Sequence, residues 1–281
     1  GGQGTPDDPY LIYAPEHLRC LGDCPQDLAK CYKLMNDLDL SGVDFDGIGF
    51  GFGFEGTFDG AGNTIYNLTL NGELDYTGFF CVVLKKGTVK DLNIVNFDIQ
   101  GKCKTGGLAG KNEGTITNCT TQGRLTMPDD GRARCSHGGL VGYNYGHVTG
   151  CKADVELLVS GSDMKSFGGL IGLNKGVVHQ SASTGSISVS GKNACSFGGL
   201  VGRCGYDAKV YDCGSTVDIT VSGKDCHCVG GFAGLQYYRT RIERSYCSGM
   251  MVLEEGSVLK NGGAFIGSNG HHKLGDAQII D

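Results

Sequence analysis

The chain has no tryptophan, only 5 prolines in 281 residues, and no charge run of either sign longer than a few residues. Too little proline and no Gly-X-Y period exclude collagen and proline-rich disorder. With 24 basic against 30 acidic side chains, the formal net charge is −6. That balance disfavours nucleic acid as a partner. The densest basic stretch, Arg239, Arg241 and Arg244 beside Tyr237 and Tyr238, reads as a solvated strand face or turn. No apolar run reaches the roughly 18 residues that a membrane span needs. The sequence opens at Gly1 without an initiator Met or an apolar leader, as expected of a processed product or an excerpt.

What the chain has in abundance is glycine, 50 residues, and cysteine, 14. An even cysteine count with mostly single, distant cysteines favours disulfides and an oxidising, extracellular compartment over zinc. Cys226-His227-Cys228 and Cys20 with Cys24 are the close-spaced exceptions, and neither has a second pair at metal spacing. Asn67-Leu68-Thr69 and Asn118-Cys119-Thr120 are candidate glycosylation sequons.

Internal repeats give the abundance a meaning. GGLAG at 106, GGLVG at 138, GGLIG at 168, GGLVG at 198, GGFAG at 230 and GAFIG at 263 are spaced by 32, 30, 30, 32 and 33 residues, with a weaker copy, GFFCV, at 78. Six residues after the first glycine stand Asn112, Asn144, Asn174, Cys204, Gln236 and Asn269. Further on, Val159, Val189 and Val221 align once a two-residue insertion after Gly202 is allowed. Each unit shows about three short strand-like runs separated by Gly, Asn and Ser turns.

A unit of about 30 residues built of short strands fits one coil of a β-solenoid, so the fold class is all-β. Stacked coils place equivalent residues about 4.8 Å apart, and Leu108, Leu140, Leu170, Leu200 and Phe232 are expected to form one apolar column. The double glycines suit corners where a Cβ would clash. The recurrent asparagines fit either a buried amide ladder or separate Asn-x-Gly turns.

Rung spacing falls near the low end of the roughly 4.4–6.8 Å Cα separation that a disulfide spans. Candidate rung-to-rung bridges are Cys119 with Cys151, Cys103 with Cys135, Cys213 with Cys247, and Cys195 with Cys226 or Cys228. Lys165 and Ser181 interrupt the two cysteine columns. Pro15 to Leu21, with Leu18 and Leu21 on one face, is expected to form a short helix that plugs the amino end. Cys20, Cys24 and Cys31 would staple that cap, one of them reaching Cys81 or another coil. The carboxyl end, GHHKLGDAQIID, offers no matching plug, so a continuing chain or a partner is expected there.

The GGL-[AVI]-G repeats followed by Asn, with GTITNC and GHVTGC, resemble the GLUG-motif repeats of bacterial surface and secreted proteins. The leader GTPDDPYLIYAPEHLRCL, YKLMNDLDLSG and FEGTFDGAGNTIYNLTL is similar to the segment that precedes such repeats. The resemblance covers nearly the whole chain. It implies a right-handed parallel β-helix in an adhesin-like setting, a single domain over residues 1–281 with cap and leader coils at 1–76 and about seven repeat coils at 77–281. It carries over no catalytic residues. Some members attach the repeats to a metallopeptidase, but no H-E-x-x-H occurs here, and the high cysteine content departs from the family pattern.

A parallel β-helix can also carry a polysaccharide-cleaving site, and that chemistry needs paired carboxylates. Asp37 and Asp39, Asp44 and Asp46, and Asp129 with Asp130 are the pairs available to such acid–base work. Structural calcium would sit near Asp44, Asp46 and Asp59. Phe50, Phe52 and Phe54 alternate with glycine and read as core or cap packing. An ice-binding face is disfavoured because Thr115, His147 and Val177 share one outward slot without regularity. The expectation is a non-catalytic extracellular structural or adhesive protein, without cofactor, whose faces bind glycans, cell-surface proteins or copies of itself in a fibre or surface layer.

Overall fold

The computed structural model describes residues 1–23, 25–72, 75–128, 135–269 and 278–280. Cys24, the Asp129–Asp130 pair and most of the carboxyl-terminal segment, His271 and His272 included, lie outside the described residues. The chain is a parallel β-solenoid. One coil illustrates the plan: strands Lys165–Gly168, Ile171–Asn174, Val177–His179 and Ala182–Val189 follow one another around the axis. Their equivalents stack into four parallel sheets, here I to IV in that order, of 7, 7, 10 and 11 strands among the described residues. The coil thus has four strands where sequence periodicity suggests three. The extra one, KSFG in this coil, ends on the first glycine of the doublet and is too short to show alternation.

The expected register holds through the central coils. Val159, Val189 and Val221 pair in sequence, and Thr115, His147 and Val177 share an outward slot. Leu108, Leu140, Leu170, Leu200 and Phe232 are fully buried. Each is tied to its neighbour by a backbone bond such as Leu140 N–H to Leu170 O at 3.0 Å. Full burial of each such side chain contributes about 2 kcal/mol of hydrophobic stabilisation.

The doublet glycines are required by close approach and not by dihedral angle. None of Gly106, Gly138, Gly168, Gly198, Gly230 or Gly263 has a positive φ. A Cβ on Gly168 would instead run into the carbonyl of Ile171 and come 2.7 Å from the amide nitrogen of Gly202. Left-handed backbone occurs at a different corner, between sheets III and IV, where Asp91, Asn118, Gly150, Gln180, Asp212 and Arg244 carry φ values of 52°, 53°, 66°, 48°, 55° and 44°. Glycine takes only one of these six places; polar residues able to tolerate the left-handed region take most of the others.

The asparagines form a continuous ladder. Asn112 Nδ2 donates to Asn144 Oδ1 and Asn144 Nδ2 to Asn174 Oδ1, both at 2.8 Å. The turn reading holds as well, because Gly114 N and Gly176 N donate at 3.1 Å to the Oδ1 of Asn112 and Asn174. Cys204, Gln236 and Asn269 continue the slot in register.

At the amino end, Tyr10–Ile12 is the outermost strand of sheet III. Helix α1, Pro15–Asp23, follows it and packs on it and on the 3-10 turn Pro25–Asp27. Proline in the first turn and Glu16 near the helix start suit its amino terminus. Leu18 and Leu21 are buried beneath it, as a plug requires. The leader coils are filled by aromatics, with Phe54 against Phe80 at 5.1 Å and Phe58 edge-on to both Phe79 and Phe80.

Candidate binding face

Sheet II points one side chain per strand outward. Register aligns Val82, Lys111, Tyr143, Leu173, Arg203 and Leu235 in one column. Two residues further along each coil a second column forms from Glu113, Tyr145, Lys175, Gly205 and Tyr237, each of the last four donating its amide to the carbonyl of the preceding rung. The two columns interleave rings with cations. Lys111 Nζ lies 5.8 Å from the Tyr76 ring and 5.4 Å from that of Tyr145. Lys175 Nζ lies 5.8 Å from Tyr143 and 5.3 Å from Tyr145. Arg203 faces Tyr237 at 5.8 Å, and Lys104 sits 4.5 Å over Tyr76.

Geometry inside the stripe is held by the rings themselves. Tyr143 and Tyr145 stack at 4.6 Å, and the Tyr145 hydroxyl donates to that of Tyr143 at 2.8 Å. Partial burial and this bond raise the Tyr143 phenol above its ordinary value. A hydrogen bond with Tyr143 raises Lys175, which therefore stays cationic. The stem of Lys175 crosses Gly205, where a Cβ would come 2.7 Å from its Cγ. Tyr206 extends the stripe, 5.6 Å from Tyr237 and 6.4 Å from Tyr238. Lys111 is ion-paired with Glu113, and Arg239 with Asp207 at 2.8 Å. Among the described residues Lys104, Lys175 and Arg203 make no carboxylate ion pair.

Beside Tyr76 the stripe runs into a groove of about 550 Å³, lined by Phe50, Phe52, Tyr76, Val82 and Leu84 among others. Positive φ at Gly49, Gly51 and Gly53 turns the GFGFGF loop so that only Phe54 enters the core. Of the three phenylalanines expected to pack in the core or cap, Phe50 and Phe52 remain 50% and 65% exposed, and Phe50 shares a pocket with Leu18 and Arg19 of α1.

Among the thirteen described cysteines no disulfide bond is drawn. Three pairs of sulfurs meet across rungs. Cys119 N donates to Cys151 Sγ at 3.5 Å, and both side chains are fully buried. Hydrogen bonding with Cys135 pulls the Cys103 thiol down to about 6. Contact with Cys228 does the same for Cys195. Cys226 instead turns to the carbonyl of Gly191 at 3.6 Å.

The Cys213 with Cys247 pairing fails on register. Gly214 pairs with Tyr246 and Ser215 with Cys247, so Ser245 stands opposite Cys213, its Oγ accepting from Cys213 N at 3.2 Å. Cys247 lies against the carbonyl of Ala264 at 3.2 Å. Burial pushes the Cys213 thiol up to about 11. Of the cap cysteines, Cys20 is exposed on α1 and Cys31 half-buried, while Cys24 lies outside the described residues. Cys81 faces the Asp46 carbonyl at 3.5 Å, with burial raising its thiol to about 12.

The candidate calcium ligands do not converge. Asp59 is paired with Lys90 at 2.8 Å and accepts from Ala61 N at 2.8 Å. Among the described residues no three His, Cys, Asp or Glu side chains form a metal-holding group, Cys226-His227-Cys228 included. Asp37 accepts from Thr64 N at 2.7 Å. Asp39 accepts from Asn67 at 2.8 Å and from Ser41, which holds its carboxyl below the usual range. The sequon asparagines Asn67 and Asn118 sit at left-handed corners, φ 58° and 53°. Their amides donate to Asp39 and Asp91 of the preceding rung at 2.8 and 3.1 Å. Among the described residues no helix is long and apolar enough to cross a membrane.

No family model matches the chain. It is 32% identical over 136 residues to halomucin of Haloquadratum walsbyi, a match covering 44% of this chain and 2% of that protein. A Gly-rich membrane protein of Evansella cellulosilytica, so named provisionally, is 30% identical over 137 residues, 43% of this chain and 15% of that one. The chain therefore spans a small part of these relatives. Among solved structures, a Bacteroides ovatus protein named provisionally as an immunoglobulin A1 protease superposes with a TM-score of 0.66 at 18% identity, covering 99% of this chain and 84% of the other. An IgA1 protease superposes with a TM-score of 0.56, also at 18% identity, over 96% of this chain and 21% of its own length. Both establish the solenoid fold.

Proposed function

We propose that this chain is a non-catalytic extracellular β-solenoid, a structural and adhesive rod of the GLUG-repeat kind, stapled between rungs and presenting sheet II as its ligand face. The observation that carries the reading is the tyrosine and cation stripe, which spans successive coils where a purely structural rod needs only solvated side chains. Rings on a rigid scaffold give contact area at small entropic cost. The names of the sequence relatives, halomucin and a membrane protein, accord with a cell-surface location. Of the carboxylates considered for catalysis, Asp37 and Asp39 are already taken up by turn and rung bonds.

Binding without turnover is the expected behaviour. The chain, applied to arrays of glycans and surface proteins, should be retained by a subset of them. Incubation with acidic polysaccharides should release no new reducing ends or unsaturated uronates. Cleavage of any such polymer, abolished by Asp39→Asn, would overturn the non-catalytic reading. The staples are tested by peptide mapping of protein isolated without reductant, where Cys119–Cys151, Cys103–Cys135 and Cys195–Cys228 are the expected pairs. Free thiols at Cys119 and Cys151 would remove the stapling from the proposal.

A further inference from the structure

Resting on the adhesive reading, we infer that the stripe on sheet II binds an acidic polysaccharide of low charge density, laid along the solenoid axis. From Lys111 to Leu235 the outward column advances four rungs, about 20 Å at the spacing of parallel strands. A ligand matched to such a surface repeats its own chemistry at short, regular intervals, which favours a polymer over a compact molecule. Tyrosine faces suit the apolar C–H faces of sugar rings, and their hydroxyls suit sugar hydroxyls.

Charge selects among polymers. Glu113 and Asp207 neutralise Lys111 and Arg239, so the stripe offers Lys104, Lys175 and Arg203 as its net cations, on a chain whose net charge is −6. Three cations spread over this length fit one carboxylate or sulfate every few sugars. A phosphate on every residue, as in nucleic acid, would meet too few cations and the field of an acidic protein. The exposed Phe50 and Phe52 beside Tyr76 give one end of the path an apolar wall for an unsubstituted sugar or a methyl ester.

The test is equilibrium binding of the full chain to a sparsely de-esterified polygalacturonate, with dextran and oligothymidylate as comparison probes. Wild type should prefer the polyuronate, and affinity should fall with added salt as exposed charges are screened. Tyr145→Ala should weaken binding about tenfold, and the double variant Lys175→Glu, Arg203→Glu by more, about a hundredfold, in line with one and two units of log affinity. Lys152→Glu, on sheet IV, should leave it unchanged, and unaltered circular dichroism and melting verify that each variant is folded. If the double variant binds as tightly as wild type, the stripe is not the site, while the adhesive reading stands. Tighter binding to oligothymidylate than to polyuronate would overturn the proposal in favour of nucleic acid. Failure of wild type to bind any glycan or surface protein would overturn both readings.

Discussion

Asn144 and His137 are both fully buried in one coil, seven residues apart, yet the solenoid treats them in opposite ways. The Asn144 amide donates to Asn174 and accepts from Asn112, and each neighbour has the same shape and the same two-sided capacity. A carboxamide is its own complement when translated by one rung, so stacking identical residues satisfies them all. His137 is translated onto Thr105 and Phe167 instead. Its ring stacks on Phe167 at 5.1 Å and 18°, continuing a column in which Phe167 and Phe197 lie 4.9 Å apart, and neither ring nitrogen finds a partner. Parallel stacking therefore satisfies a buried side chain along the axis when its neighbours repeat it, as the asparagines do and His137 does not.

The largest effect should come from breaking the satisfied site. Asn144→Ala removes both ladder bonds and leaves a void, and chemical denaturation should show a loss of about 3 kcal/mol. Acid acts on the other site. Burial lowers His137 from 6.5 to about 3, so the unfolded chain takes up a proton that the folded one refuses. The stability that follows from a neutral His137 is whole above pH 6.5 and is lost as pH falls towards 3, at about 1.4 kcal/mol per unit. The unfolding free energy from chemical denaturation should fall by about 2–3 kcal/mol between pH 7 and 4.5 from this group alone, in the direction of lower stability at lower pH.

His137→Phe then sharpens the contrast. It extends the phenylalanine column and removes the two unpaired nitrogens, so stability at pH 7 should rise by about 1 kcal/mol, and the acid slope assigned to this site should vanish. An unchanged slope in this variant would move the acid sensitivity elsewhere. The smallest effect is expected for Cys204→Asn. That residue would sit next to Asn174 and Gln236 in the ladder slot, replacing a buried thiol that burial raises to about 12. A change of less than about 1 kcal/mol in either direction is expected, read by thermal melting, because the gained amide bonds offset a tighter fit.

The ladder is legible in the sequence because Asn112, Asn144 and Asn174 repeat both in identity and in spacing; so are the apolar column and the sulfurs of Cys119 and Cys151. The helical plug is legible too, since Leu18 and Leu21 show helical spacing behind a proline. The binding stripe is not. Lys111, Tyr143, Leu173 and Arg203 hold one outward slot with four different side chains, and periodicity detects only likeness. Cys213 and Cys247 show the limit of spacing alone: 34 residues separate them where the local register advances 32, so Cys247 stands opposite Ser215 and not Cys213. At Phe50 and Phe52, alternation with glycine imitates an inward-facing strand, while the positive φ of those glycines makes it a looped turn.

The in-register glycines have a consequence for heredity. Gly168 and Gly198 occupy the same place on successive coils and pair directly. Loss of residues 169–198 from the coding sequence would join Gly168 to Gly199 and return the walls and corners of the remaining rod to matching neighbours, with Asn144 then facing Cys204 in the ladder slot. Duplication of the same stretch would lengthen the rod by one coil with equally little disturbance. Repeat number is thus a dimension along which recombination can vary the reach of such a molecule without redesigning its interior, and the stripe on sheet II would grow or shrink in step.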